Sequence, residues 1–235
     1  MRPGSRADRV TGEPMRNNLP NQLTLLRLVL AAVFFVVLNQ YRYRGPAAPQ
    51  TLILWASIFI FVLAALTDWL DGYLARRWQA ESRFGRIMDP FCDKVLVIGA
   101  LIYLAGPRFV IPAKAAAGDF FNMVSGVYPW MVAVILAREL LVTGIRGELE
   151  SLGVSFGAGL AGKLKMILQS IVVPVVLLLI WIGPEEHPWA AWIRDVLVYL
   201  TVVVTVASGL PYVLSARRHM RQAPAIGEET ESRPS

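Results

Sequence analysis

The sequence predicts an all-α, polytopic membrane protein with six transmembrane helices and both termini in the cytoplasm. Three observations lead there. Of 235 residues, 55% are hydrophobic and only 17% are charged, a composition too apolar for a disordered chain. The apolar residues gather into six runs, each close to the roughly 20 residues that a helix needs to cross a hydrocarbon core. The basic residues bracket those runs instead of clustering with exposed aromatics. The formal charge of +6 therefore points to membrane topology and not to nucleic acid. The single cysteine, Cys92, excludes an intrachain disulfide and a cysteine-based zinc site.

Taken in order, residues 1–16 are rich in Arg, Gly, Pro and Glu and cannot bury apolar area, which predicts a disordered cytoplasmic tail. Asn17–Asn21 (NNLPN) reads as a turn into the first span, about Gln22–Asn39. That span starts late and lacks a small-residue cleavage site, unlike a secretory signal. The turn Arg44-Gly45-Pro46 separates it from the second span, Thr51–Arg76. The third, fourth and fifth spans are expected at Ile87–Leu104, Val127–Ile145 and Lys165–Ile182, the last with a kink at Pro174. After Gly183-Pro184 the sixth runs from Trp189 to Leu214. The membrane domain is expected over 17–218, with a second disordered cytoplasmic tail at 219–235. Trp130, Trp181, Trp189 and Trp192 suit an interfacial belt. With six spans, 17 Lys and Arg fall on the face that carries both termini and five on the other, so the positive-inside rule makes the first face cytoplasmic. The expected location is the cell's inner (plasma) membrane.

A charged side chain inside a membrane helix is costly unless it meets water or a partner. Four aspartates nevertheless stand near the cytoplasmic ends of the second and third spans: Asp68, Asp71, Asp89 and Asp93. Their i,i+3 and i,i+4 spacings put each pair on one helix face. One such residue would be a solvated carboxylate at a membrane edge. Four on adjacent helices cannot all stay ionised without added positive charge, and Arg76 and Lys94 supply too little. All-oxygen ligands without His or Cys favour Mg²⁺ or Mn²⁺ over zinc, and two ions could share the set. Gly72 and Gly85 leave room for a bulky ligand to approach the helices. A divalent-metal site for a diphosphate-bearing substrate follows.

The stretch from Asp68 to Asp93 reads D-x2-D-G-x2-A-R-x8-G-x3-D-x3-D without a gap. Eight fixed positions recur by chance on the order of once in 10¹⁰ starts at average composition. The pattern resembles the signature of the CDP-alcohol phosphatidyltransferases. Asn18-Leu-Pro-Asn21-x2-Thr24-x2-Arg27 is similar to that family's entry into its first helix. Asp93–Val97, Ala137-Arg138-Glu139 and Gly162–Lys165 resemble the bacterial phosphatidylglycerophosphate synthases within it.

The resemblance implies transfer of a phosphatidyl group from CDP-diacylglycerol to glycerol 3-phosphate, a step of phospholipid biosynthesis that releases CMP. It implies metal binding by the four aspartates, Asp93 as general base, a homodimer, and an active site at the cytoplasmic face. Asp71, Gly72, Ala75, Arg76 and Gly85 would line the CDP-diacylglycerol pocket, with Asn21, Thr24 and Arg27 closing its other side. The acceptor brings its own phosphate, for which Arg138, Arg146, Lys163 and Lys165 are the basic candidates. Arg138 stands out because an Arg in an apolar helix needs a partner, and Glu139 adjoins it. Two alternatives remain at this level. One is the same chemistry with inositol phosphate or phosphatidylglycerol as acceptor. The other is a cation-coupled transporter, against which the placement of the acids at a membrane edge argues.

Overall fold

The computed structural model describes residues 19–45, 50–78, 83–151 and 160–222; within its helices the side chains at 19–21, 71–78, 83–90, 93, 150, 160–161 and 219–222 lie outside that description. The described residues are mostly helical and contain no strand, only an isolated bridge between Val110 and Met123. The helices are α1 (Leu19–Leu38), α2 (Thr51–Trp78), α3 (Arg83–Leu104), α4 (Pro112–Ala116), α5 (Pro129–Ser151), α6 (Leu160–Ile182), α7 (Pro188–Ala207) and α8 (Leu210–Gln222). Pro112, Pro129 and Pro188 each occupy a first helical position, where the missing N–H costs nothing and the fixed φ suits the helix.

Three apolar stretches are long enough to cross a membrane: Thr51–Leu70, Gly162–Ile182 and Pro188–Arg218; Gln22–Leu38 and Lys94–Leu104 are apolar but shorter. Large side chains such as Leu52, Phe59, Ile167, Trp192 and Val203 stand exposed on these helices. An aqueous surface does not tolerate apolar area on that scale, whereas lipid does. Hydroxyls inside the helices donate back to carbonyls four residues earlier, as Ser57 does to Ile53 (2.8 Å) and Thr201 to Leu197 (2.8 Å). Without water, that internal satisfaction is what an apolar medium demands.

Helix α1 packs on α2 and α3, α6 on α7 and α2, and α5 on α7, α8 and α3. The core runs through Phe34, Leu38, Phe61, Ala100, Leu104 and Val176. Gly99 sets the α1–α3 approach: a Cβ there would lie 2.4 Å from the Phe35 ring, which stacks on Tyr103.

At the end of the bundle away from the aspartates, residues 105–128 form a folded cap. Ile111 N–H donates to Asn122 O (2.7 Å) and Val124 N–H to Phe109 O (2.8 Å). Arg194 clasps the cap through Val124 O (2.8 Å) and pairs with Asp195. Gly126 adopts φ +66°, and a Cβ there would strike the Arg194 side chain at 2.7 Å. Tyr43 donates from its phenol to Glu185. Burial and that neighbouring carboxylate push the Tyr43 phenol above its ordinary value, and burial does the same at Tyr41.

The sixth apolar run is not one helix. It breaks after Ala207 and restarts at Leu210. Pro211 has no N–H to return to the carbonyl of Ala207. Gly209 N–H instead donates to Val206 O (2.9 Å), and Gly209 O accepts from Tyr212 (3.1 Å) and Val213 (3.3 Å). Helix α8 then carries past Arg218, reaching four residues into the segment expected to be a disordered tail.

Candidate active site

The polar side chains of the bundle gather into two clusters. In the first, Thr24 and Arg27 lie one turn apart on α1 and are buried, at 0% and 1% exposure. Arg27 Nη1 pairs with Asp68 Oδ1 on α2 at 2.6 Å. A guanidinium so deep in an apolar bundle would be expensive alone. The Asp68 carboxylate offsets that cost while its own side chain stays 43% exposed, open toward the end where the signature lies. A small cavity of about 30 Å³ between Arg27, Asp68, Phe61, Leu96, Val97 and Ser170 holds one or two waters at most.

Asp71, Gly72, Ala75 and Arg76 continue along the backbone of α2, and Gly85, Asp89 and Asp93 follow on α3. The backbone is helical throughout, so the i,i+3 and i,i+4 spacings read from the sequence hold. Because α2 ends at Trp78 and α3 begins at Arg83, both acidic pairs lie at one end of the bundle. The side chains of these seven residues, and of Asn21, lie outside the described ones. Among the described side chains no group of three metal-ligating residues occurs. The signature supplies carboxylate oxygens alone, and that donor set fits a hard divalent cation.

The second cluster centres on Glu139, which is buried. Arg138 Nη1 donates to Glu139 Oε1 at 2.9 Å, and the Lys165 ammonium from α6 meets the same oxygen. Arg138 Nη2 donates to Ser208 Oγ at 2.8 Å. Lys94 on α3 donates to Thr143 Oγ1 (2.7 Å), which donates in turn to Glu139 O (2.7 Å). Gln169 on α6 donates to Thr205 Oγ1 on α7 at 3.3 Å. Four helices are thus joined by one polar network. Lys94, Arg138 and Lys165 against Glu139 leave a net charge of +2.

The network unites two of the four basic residues expected to receive a phosphate. Arg138 and Lys165 converge on Glu139, and the expected Arg138–Glu139 partnership is present. Lys163 is exposed on α6, two residues and 200° around the helix from Lys165, and Arg146 is exposed about two turns beyond Arg138 on α5. Thr143, Gln169, Thr205 and Ser208 were not foreseen. Their only signal is that they are polar residues inside apolar runs, the kind that hydrogen-bond across membrane helices. Lys94, discounted as a counter-charge, belongs to the network through Thr143.

A larger cavity, about 400 Å³, opens at the opposite end of the bundle and is lined by Lys114, Tyr128, Glu185, Arg194, Asp195 and Tyr199, among others. Its main charges are already spent, Arg194 on Asp195 and Glu185 on Tyr43.

Comparison with known proteins agrees with the geometry. The chain is 32% identical over 202 residues to the CDP-diacylglycerol–glycerol-3-phosphate 3-phosphatidyltransferase of Bacillus subtilis strain 168, covering 83% of this chain and 93% of that protein. It is 30% identical over 209 residues to the proteins of the same name from Shigella flexneri serotype 5b and Escherichia coli K12, covering 86% of this chain and 97% of each. The CDP-alcohol phosphatidyltransferase family profile matches residues 17–207. That interval takes in the whole acidic signature, the Arg27–Asp68 pair and the cluster around Glu139 apart from Ser208. The chain belongs to the CDP-alcohol phosphatidyltransferase family.

Proposed function

We propose that the protein transfers the phosphatidyl group of CDP-diacylglycerol to a hydroxyl of sn-glycerol 3-phosphate, giving phosphatidylglycerol phosphate and CMP. The observation that carries this reading is the ungapped signature from Asp68 to Asp93 in a chain that matches relatives of that name over 93–97% of their length. In the reaction the acceptor oxygen forms a bond to the β-phosphorus of the diphosphate, and the bond from that phosphorus to the CMP oxygen breaks. Asp93 takes the proton of the attacking hydroxyl. Asp68, Asp71, Asp89 and Asp93 would hold two Mg²⁺ or Mn²⁺ ions, which would supply positive charge to offset that of the diphosphate. Arg27 holds Asp68 in place. Gly72, Ala75, Arg76 and Gly85 form the donor pocket with Asn21 and Thr24.

The acceptor is a dianion near neutral pH and must be kept apart from the donor's diphosphate, since like charges would oppose a ternary complex. The +2 cluster of Lys94, Arg138 and Lys165 around Glu139 supports a phosphate-bearing alcohol as that acceptor, with Arg146 and Lys163 contributing at its exposed edge. The six long helices α1, α2, α3, α5, α6 and α7 would span the membrane, with both termini and the signature on the cytoplasmic side. In this reading the working form is a homodimer in the inner membrane.

The test is an acceptor panel. Purified protein is incubated with CDP-diacylglycerol, Mg²⁺ and glycerol 3-phosphate, inositol phosphate or phosphatidylglycerol in turn, and the lipid product is identified by mass spectrometry. Phosphatidylglycerol phosphate should form at the highest rate. Preference for either other acceptor would overturn the assignment while leaving the family intact.

A further inference from the structure

The break between α7 and α8 coincides with the entry of the Arg138 side chain. Ser208 Oγ donates its proton to Thr205 O at 2.8 Å, so its lone pairs are what it can offer the guanidinium, and Arg138 Nη2 donates to them at 2.8 Å. At the next residue, a Cβ on Gly209 would lie 3.3 Å from Arg138 Cγ and 3.4 Å from Nε, tight enough to press on the arginine stem. Glu139 takes Nη1 from the other side. With Nη1 and Nη2 both engaged, the plane and direction of the fork are fixed. Arg138 Nε remains buried with no acceptor among the described residues. A donor in that state is costly until an oxygen arrives to accept from it.

We propose that Ser208 and Gly209 are positioning residues for Arg138, and that the helix break aims the buried guanidinium at the phosphate of the acceptor. This rests on the reading of Arg138 as part of the acceptor site. Ordinary termination of an apolar helix does not require a hydroxyl locked as an acceptor, nor a residue without Cβ against the arginine stem. Both are present at one turn, and Gln169 steadies that turn from α6 through Thr205.

The experiment compares full-length wild type, Ser208→Ala, Gly209→Ala, Arg138→Ala and the Arg138→Ala/Ser208→Ala double variant. Each is purified in detergent–lipid micelles and shown to be folded by elution profile and thermal melt. The apparent KM is measured for glycerol 3-phosphate and for CDP-diacylglycerol. Ser208→Ala should raise the KM for glycerol 3-phosphate about threefold to tenfold, with that for CDP-diacylglycerol changed less than about twofold. In the Arg138→Ala background, Ser208→Ala should add nothing, because the residue it acts through is gone. Equal effects on both substrates, or full additivity in the double variant, would overturn the inference. If Arg138→Ala raises the acceptor KM and Ser208→Ala does not, the positioning role alone falls. If Arg138→Ala leaves it unchanged, the acceptor-site reading falls and takes this one with it. Should Ser208→Ala not fold, Gly209→Ala carries the same expectation and the same refutation.

Discussion

Glu139 holds two cations on one carboxylate oxygen, and its removal should expose how much of the fold depends on that balance. The side chains of Arg138, Lys165 and Glu139 are 10%, 11% and 7% exposed, so none of the three is well solvated. Breaking a buried ion pair by neutralising one partner typically costs about 3–5 kcal/mol. Glu139→Gln keeps an acceptor for Arg138, which places its cost near the low end, about 3 kcal/mol. That is a large share of a total stability of roughly 5–15 kcal/mol. Lys165→Met should cost less, about 1–2 kcal/mol, because Arg138 still neutralises Glu139 at 2.9 Å. The double variant removes one charge of each sign, so it should cost less than the two singles together by about 1–2 kcal/mol. The assay is unfolding of each purified variant in mixed micelles against SDS mole fraction, followed by tryptophan fluorescence. Additivity within about 0.5 kcal/mol would show that Lys165 and Glu139 are neighbours without being partners.

Four further outcomes are expected. Asp93→Asn should lower turnover by about 10²-fold or more in a protein that still folds, and near-normal transfer would remove it from the role of base. Excess chelator should abolish activity and Mg²⁺ or Mn²⁺ should restore it; activity in metal-stripped protein would count against the four-aspartate site. The Tyr43 phenol is raised in the folded state, so the unfolded chain loses that proton first. Its contribution is intact below pH about 10 and is lost above it. The melting temperature should therefore fall more steeply above that pH for wild type than for Tyr43→Phe, and identical slopes would contradict the placement beside Glu185. For topology, cysteines at Ala115 and His187 should react with an impermeant reagent in intact cells and one at Ser82 should not, since the reverse pattern would invert the protein in the membrane.

The helices were legible in the sequence because an apolar run of about 20 residues has few other uses. The cap at 105–128 was not. It is held by contacts distant in sequence, such as Tyr43 N–H to Arg108 O and Arg194 to Val124 O. The α7–α8 break was signalled by Gly209 and Pro211, but the apolar composition runs on to Leu214 and hid it. In the site, Arg138 and Glu139 are adjacent and could be paired on sight. Arg27 and Asp68 are 41 residues apart, and only the packing of α1 on α2 brings them to 2.6 Å. Lys163 and Lys165 read as one basic cluster along the chain, yet the 100° step of a helix separates them, one exposed and the other on Glu139.

Under the proposed reaction, the opposite charges of the two clusters become a constraint on α3. The donor side is acidic and recruits cations to meet a diphosphate, whereas the acceptor side is a net cation that meets a phosphate directly. Contact between such clusters would let them neutralise each other and leave neither available to substrate. Arg27 ties the acidic side to α1, and Glu139 ties the basic side to α5 and α6. Helix α3 carries the last acid of the signature, Asp93, and at the next residue Lys94, whose ammonium reaches across to Thr143 on α5. That hydrogen bond is one of the contacts that hold α3 against α5. A slip of one residue would bring Asp93 to the place of Lys94 beside Thr143, removing the general base from the donor side and placing a negative charge in the acceptor site. Thr143, itself anchored to Glu139 O, thus holds Lys94 on the basic side.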